Sequence, residues 1–122
     1  RNQILSNKDI TSYNKIIINY LENRQPYLQP EFSLKDLSEN TGIPAHVLSN
    51  VMNQYLQTNF TTLINNYRIK AACEMLCDSE TQHLTIAAIA YESGFNSLSV
   101  FNQTFKKTKG MTPSAFRKTH SK

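Results

Sequence analysis

Apolar residues recur at helical spacing along almost the whole chain. A first amphipathic helix is predicted by apolar residues at helical spacing, namely Ile10, Tyr13, Ile16, Ile17, Tyr20 and Leu21. A second series steps by four along a long central helix, from about residue 62 to residue 78, at Leu63, Tyr67, Ala71 and Met75. Strand-like alternation never persists, so the sequence predicts an all-α fold of about seven helices.

Turn and capping residues separate the predicted helices. Two prolines between residues 25 and 30 end the first helix and make a linker. Ser33 and Asp36 have the spacing of a capping box at the start of a second helix. Pro44 suits the first turn of a third helix that runs to about Leu56. Three further positions are predicted to be N-caps of later helices, namely Thr85, Ser97 and Thr112.

The chain also contains an internal repeat. Six positions recur 52 or 53 residues later, in the pairs Leu34 and Ile86, Leu37 and Ile89, Gly42 and Gly94, Ile43 and Phe95, Leu48 and Phe101, and Met52 and Phe105. Each copy reads as a short helix, a glycine turn and a second helix, which is the helix-turn-helix pattern. Glycine suits the turn because it tolerates positive φ. We therefore expect an N-terminal helix and linker (1–30), a first helix-turn-helix subdomain (31–61), a linker helix (62–79) and a second such subdomain (80–122).

The residues of the second copy resemble the DNA-binding domain of the AraC/XylS family of bacterial transcription regulators. The matching segments are 86–90, 94–97, 101, 105–107, 110–113 and 116–118, together with Tyr67, Arg68, Ile69, Ala71 and Ala72 of the linker helix. The resemblance covers roughly residues 26–119. It implies two small subdomains on a rigid linker, with both recognition helices of one monomer on one face of double-stranded DNA. A linker of about 18 residues spans about 27 Å, close to the repeat of successive major grooves once flanking turns are added.

The expected DNA contacts are polar residues that face away from the core on the second helix of each copy. The predicted base-reading residues are Ala45, His46, Ser49 and Asn50 in the first copy and Leu98, Ser99, Asn102 and Gln103 in the second. Asn and Gln can bond bidentate to adenine, and Leu98 or Val100 can touch a thymine methyl. The predicted phosphate contacts are Asn53, Gln54, Ser97, Lys106, Lys107 and Arg117. The phenylalanines of the repeat are expected to pack in the core and not to stack on bases.

Charge is distributed unevenly between the two copies. The formal net charge is +4, and the segment from Ser93 to the C-terminus carries six basic residues and no acidic one, which favours a polyanionic partner. No charged residue lies between Asn40 and Tyr67. Gln57 replaces the family's common glycine, and Pro44 replaces a common serine cap. We hypothesise that the second unit supplies most of the affinity and the first supplies tuning.

No catalytic or metal site is predicted. The three histidines, His46, His83 and His120, lie far apart, and no phosphate loop, nucleophile motif or zinc pattern occurs. Cys73 and Cys77 are expected to be small buried hydrophobes in a reducing cytoplasm, with redox or metal chemistry as the alternative. The sequence therefore predicts no enzyme and no cofactor.

The resemblance implies partners as well as a fold. Double-stranded promoter DNA and RNA polymerase are the expected partners, and a chain that begins with Arg1 is expected to be a piece of a longer regulator with a sensor or dimerisation part. No apolar run approaches the roughly 20 residues of a membrane span, so no membrane contact by this segment is expected. Two alternatives stay open: a protein-interaction module that kept the fold and lost DNA binding, and the output end of a membrane-bound sensor. The operator, the signal, the oligomeric state and the direction of regulation stay open too.

Overall fold

The computed structural model describes residues 6–120, and within that range it contains α-helices and no strand. The helices are α1 (Asn7–Arg24), α2 (Leu34–Thr41), α3 (Ala45–Val51), α4 (Phe60–Cys77), α5 (Ile86–Glu92), α6 (Leu98–Lys109) and α7 (Pro113–His120). Short 3-10 turns at Pro26–Leu28 and Ser79–Thr81 follow α1 and α4. The prediction of an all-α fold with about seven helices is confirmed.

Local sequence explains where most of these helices begin. The Ser33 hydroxyl oxygen accepts from the backbone N–H of Asp36 at 3.2 Å, and the Asp36 carboxylate accepts from the Ser33 N–H at 3.0 Å, so the predicted capping box is present. Thr85, Ser97 and Thr112 each accept a backbone N–H of the helix that follows, as expected of N-caps. These side chains satisfy donors that the first helical turn leaves unpaired.

The third helix differs from the prediction at both ends. Pro44 was expected inside the first turn, but it is the N-cap residue, with an extended ψ of 145°, and the helix begins at Ala45. Proline fixes φ near −65°, a value that suits either position, so the sequence did not distinguish them. After Val51 the backbone continues as a π-helical turn, Met52–Leu56, and the N–H of Gln57 closes it by bonding the Met52 carbonyl. Gln57 has φ 53°, in the left-handed region.

The chain divides into two compact units. Of the described residues, unit 1 consists of 6–26 and Phe32–Leu63, and unit 2 consists of Tyr27–Glu31 and 64–120. In unit 1, α1 packs on α2 and α3, the two helices of the first helix-turn-helix motif. The fully buried side chains there include Ile17, Leu21, Leu37, Leu48 and Val51.

Unit 2 is organised around aromatic and aliphatic side chains from α4, α5 and α6. Its buried cluster comprises Ile69, Ala72, Leu76, Ile89, Ala90, Phe95, Phe101 and Phe105. The ring centroids of Phe95 and Phe101 are 5.2 Å apart, and those of Phe105 and Phe116 are 5.4 Å apart, both in edge-to-face geometry. The phenylalanines are therefore packing residues, as the repeat predicts.

The two cysteines are free thiols on α4, and both are half-buried. Cys73 lies at the edge of the unit 2 cluster. Burial raises the pKa of the Cys73 thiol, and nearby Lys109 partly offsets that rise. No group of three or more His, Cys, Asp or Glu side chains able to hold a metal occurs among residues 6–120. None of the described helices is long and apolar enough to cross a membrane.

Candidate nucleic-acid interface

In the second repeat, α6 follows a tightly packed turn at Gly94. Gly94 has φ +107°, a conformation that L side chains rarely adopt, and a Cβ there would overlap the carbonyl oxygen of Tyr27. Phe101 and Phe105 point into the core with no exposed surface. Since the core side of α6 is fixed by these two rings, its opposite side faces solvent.

The predicted contact residues on α6 lie on this solvent side. Exposed side chains include Leu98, Ser99, Asn102, Gln103, Lys106 and Lys107. At 100° per residue, Ser99, Gln103 and Lys107 lie opposite the two buried rings, Lys106 lies slightly to one side, and Asn102 lies at the flank of this face. Ser97 is half-buried, and its hydroxyl oxygen accepts from the Val100 N–H at 3.3 Å. That cap uses an acceptor lone pair, so the hydroxyl hydrogen can still donate.

A groove runs along one side of α6 in unit 2. Its volume is about 580 Å³, and the residues that line it from α6 are Leu98, Asn102, Gln103 and Lys106. Pro113 and Ser114, at the start of α7, line the other side. Of these α6 residues, Leu98 lies nearest the buried rings, at the edge of the exposed face, and Gln103 lies nearest the centre of that face.

The first repeat presents α3 in a comparable way. Leu48, Val51 and Met52 are buried, while Ala45 and His46 are exposed. The remaining predicted contacts differ in exposure: Ser49 and Asn50 are half-buried, and Asn53 and Gln54 are exposed within the π-helical turn. A π-helical turn adds one residue to a helical turn, so it changes the direction in which Asn53 and Gln54 point relative to an uninterrupted α-helix.

Arg117, a predicted phosphate contact, makes hydrogen bonds within the protein. Its side chain is half-buried, and its two terminal nitrogens donate to the carbonyl oxygens of Leu84 at 2.7 Å and Thr81 at 3.1 Å. These contacts join α7 to the loop between α4 and α5. The sequence shows that Arg117 is a basic residue in a basic segment, but it does not show which acceptors its donors bind. Because the terminal nitrogens already donate to these two carbonyls, we leave Arg117 out of the phosphate contacts proposed below.

The two units differ in the charged residues that they expose, as the sequence suggests. The described residues of unit 1 include four basic and four acidic side chains, and all eight precede Thr41 in the sequence. In unit 2, Lys106, Lys107 and Lys109 are exposed on the last turns of α6, and Lys118 is exposed on α7. Positive charge near the end of α6 also complements the partial negative charge of a helix C-terminus.

Arg68 is a residue whose contacts the sequence did not predict. It belongs to the segment that resembles the family's linker helix, but only the structure shows that its guanidinium bonds backbone carbonyls at Tyr27 and Gln29. Burial lowers the pKa of this guanidinium, which nevertheless stays a cation at neutral pH.

Known proteins and a protein-family model are similar to this chain. Residues 37–119, more than half of the chain, match a family model described as a helix-turn-helix domain. The chain is similar to the regulatory protein PocR of Salmonella typhimurium (30% identical over 91 residues, 75% of this chain and 29% of PocR). It is also similar to the transcriptional activator RhrA of Rhizobium meliloti (28% over 108 residues, 88% of this chain and 34% of RhrA).

Among solved structures, the C-terminal domain of AraT, a response regulator from Geobacillus stearothermophilus, is 26% identical with a TM-score of 0.74, covering 88% of this chain and 87% of that one. The duplicated helix-turn-helix fold and the family match together define a DNA-binding domain. The chain belongs to the AraC-type family of helix-turn-helix domains, as the sequence resemblance predicted. Members of this family are domains of transcription regulators and do not form an enzyme class. The chain spans about a third or less of the curated relatives described above.

Proposed function

We propose that this chain binds double-stranded DNA at a specific sequence, with α3 and α6 as recognition helices that enter successive major grooves. The observation that carries the proposal is the duplication itself. Each copy has a buried apolar pair on its second helix, Leu48 and Met52 or Phe101 and Phe105, and solvent-facing polar residues on the other side. A helix of this kind fits the width of a major groove.

The α6 half is proposed to read bases through its amides. Asn102 and Gln103 can each make two hydrogen bonds to an adenine edge, and Ser99 can bond either a donor or an acceptor. Leu98, which borders the protein surface groove beside α6, is proposed to contact a thymine methyl. Ser97, Lys106 and Lys107 are proposed to bind phosphates, since the hydroxyl can donate and both ammonium groups are exposed.

The α3 half is proposed to read bases with neutral groups. Ala45, His46, Ser49 and Asn50 are the proposed base contacts, and Asn53 and Gln54 are the proposed phosphate contacts. Because none of these is a permanent cation, this half releases few counterions on binding and adds little to the salt dependence of affinity. We infer that α6 and its lysines supply most of the affinity and that α3 refines the choice of sequence.

The whole protein is proposed to be a transcription regulator that carries further regions. PocR and RhrA are named as a regulatory protein and a transcriptional activator, and both are longer than this chain. A sensor or dimerisation region, and contact with RNA polymerase at the promoter, follow from this proposal.

Selection of bound duplexes from a random pool tests the proposal directly. We expect two enriched blocks whose centres lie about 10 base pairs apart, one helical turn, and an affinity that falls steeply as salt rises. Asn50→Ala is expected to relax preference in one block and Asn102→Ala in the other.

The uncharged surface of α3 favours one alternative, a protein-interaction module of the same fold. That module would enrich no sequence and bind random duplexes weakly at all salt concentrations, and this outcome would overturn the proposal. A single enriched block, lost in Asn102→Ala and unaffected by Asn50→Ala, would leave α6 as the only reading helix.

A further inference from the structure

Arg68 holds a short segment of backbone that is distant in sequence. From α4, its Nε donates to the Tyr27 carbonyl at 2.6 Å, and one terminal nitrogen donates to the Gln29 carbonyl at 3.0 Å. The other terminal nitrogen donates to the Asn65 side-chain oxygen at 3.3 Å, which orients the guanidinium from its own helix. The planar fork of arginine can serve several acceptors at once, which the single ammonium of lysine does not match.

The segment that Arg68 holds lies against the turn that precedes α6. The ring of Tyr27 stacks on Tyr67, with 5.2 Å between centroids, and an added Cβ on Gly94 would meet the Tyr27 carbonyl, the Cα of Leu28 at 3.1 Å and the Arg68 Nε at 2.8 Å. The backbone of the turn at Gly94 therefore lies directly against the backbone of Tyr27 and Leu28, beside the Arg68 guanidinium.

Arg68 also touches the residue that joins this turn to the core of α6. Its guanidinium carbon lies 5.9 Å from the centre of the Phe95 ring, within the range of a cation–π contact. Phe95 packs edge-to-face on Phe101, the first buried ring of α6. All of these residues belong to unit 2, so one continuous series of contacts runs from the Tyr27 backbone through Arg68 and Phe95 to α6.

We propose that Arg68 is a positioning residue for recognition helix α6. By holding the backbone of Tyr27–Glu31 against the turn at Gly94 and Phe95, it fixes the angle at which α6 leaves that turn. The proposal rests on the DNA-reading function proposed for α6, and it does not require Arg68 to touch DNA. Hydrogen bonds to base edges weaken steeply when donor and acceptor are misaligned, so a small tilt of α6 reduces base discrimination before it reduces attraction to phosphates.

The test compares base discrimination in the two halves of the selected duplex. Affinities are measured for the selected sequence, for a duplex with base changes in the α6 block and for one with changes in the α3 block. The variants are Arg68→Ala and Arg68→Lys. The matched control is Lys70→Ala, which removes an exposed cation from the same helix two residues away.

We expect each base change to weaken wild-type binding by roughly tenfold, the usual size of such effects. In Arg68→Ala the penalty for changes in the α6 block is expected to shrink to within about threefold, while the penalty in the α3 block and the salt slope stay at wild-type values. Arg68→Lys is expected to fall between the two, and Lys70→Ala is expected to keep the discrimination of the wild type in both blocks.

Two results would overturn the inference. Either the α6 penalty is unchanged in both Arg68 variants, or both blocks lose discrimination equally, as a general loss of folded structure would produce. Circular dichroism shows whether each variant is folded. If Arg68→Ala does not fold, the discrimination measured for Arg68→Lys tests the inference, because lysine keeps the positive charge. A wild type with no preference in either block would instead contradict the proposed function.

Discussion

The Nε atom of Arg68 donates a hydrogen bond to the carbonyl oxygen of Tyr27 across 2.6 Å, although 41 residues separate them in the chain. Gly94 lies directly beside this bond, in a backbone conformation with φ +107°. The space that a side chain would need is therefore already occupied by the Tyr27 carbonyl and the Arg68 guanidinium. Glycine is required at this turn for two reasons, its φ and the close approach of another segment.

Gly94→Ala is expected to destabilise the protein strongly. The unfavourable φ and the overlap of the new methyl with the Tyr27 carbonyl together cost about 3 kcal/mol or more in the free energy of unfolding. Gly42→Ala and Gly110→Ala are the matched controls, because both glycines have positive φ but nothing within 4 Å of an added Cβ. Each control is expected to cost about 1 kcal/mol. Urea unfolding measures all three, and equal costs would contradict the overlap.

Gln57→Gly is expected to stabilise the protein. Gln57 has φ 53° after the π-helical turn, in a region that costs a non-glycine residue about 1 kcal/mol. Glycine removes this cost but loses more backbone entropy on folding, so the net gain is about 0.5 kcal/mol. Gln25 has a similar φ of 51° at the end of α1, and Gln25→Gly is the comparison within the same chain. A lower melting temperature in both variants would show that the glutamine side chains contribute more than the strain costs.

Arg117→Gln is expected to reduce stability without reducing the salt dependence of DNA binding. The substitution removes hydrogen bonds to the Leu84 and Thr81 carbonyls, at a cost of about 2 kcal/mol in the free energy of unfolding. Lys118→Gln makes the same change in charge at an exposed neighbouring position and is expected to leave stability within about 0.5 kcal/mol of the wild type. If Arg117→Gln retained full stability and lowered the salt slope by about one, Arg117 would be a phosphate contact after all.

Replacing Lys106 and Lys107 together by Gln is expected to weaken DNA binding uniformly across sequences. Two lost phosphate contacts lower the slope of log affinity against log salt by about two. Replacing His46 and Asn50 by Ala is expected to leave that slope unchanged and to reduce discrimination between sequences, because neither residue is a permanent cation. A larger loss of total affinity in the His46 and Asn50 variant than in the lysine variant would reverse the proposed division between the two units.

Local signals in the sequence were enough to predict most of the fold. The capping box at Ser33 and the N-caps at Thr85, Ser97 and Thr112 each depend on residues within three positions, so short patterns reveal them. The burial of Phe101 and Phe105 follows from apolar spacing and from the repeat.

Features that depend on partners distant in sequence were not predicted. Arg68 and Arg117 are both basic residues of a basic protein. They donate hydrogen bonds to backbone carbonyls 41 and 33 residues away, and no pattern in the neighbouring sequence indicates these bonds. The π-helical turn was missed for a different reason, since it differs from an α-helix by one residue per turn and shares its apolar pattern. The contacts proposed for α3 and α6 are still predictions.

The five residues Tyr27–Glu31 belong to unit 2 although they precede α2 in the chain. A fragment that begins at Phe60 would contain α5, α6 and α7 but lack the backbone that seals the Gly94 turn. A gene fusion that exchanges only the C-terminal half between two relatives would combine the Tyr27–Glu31 segment of one parent with the residues that correspond to Arg68 and Gly94 in the other parent. Unit 2 is thus not one continuous stretch of the chain, and a fragment that reproduces the second motif has to include residues that precede the first motif in sequence as well as residues that follow it.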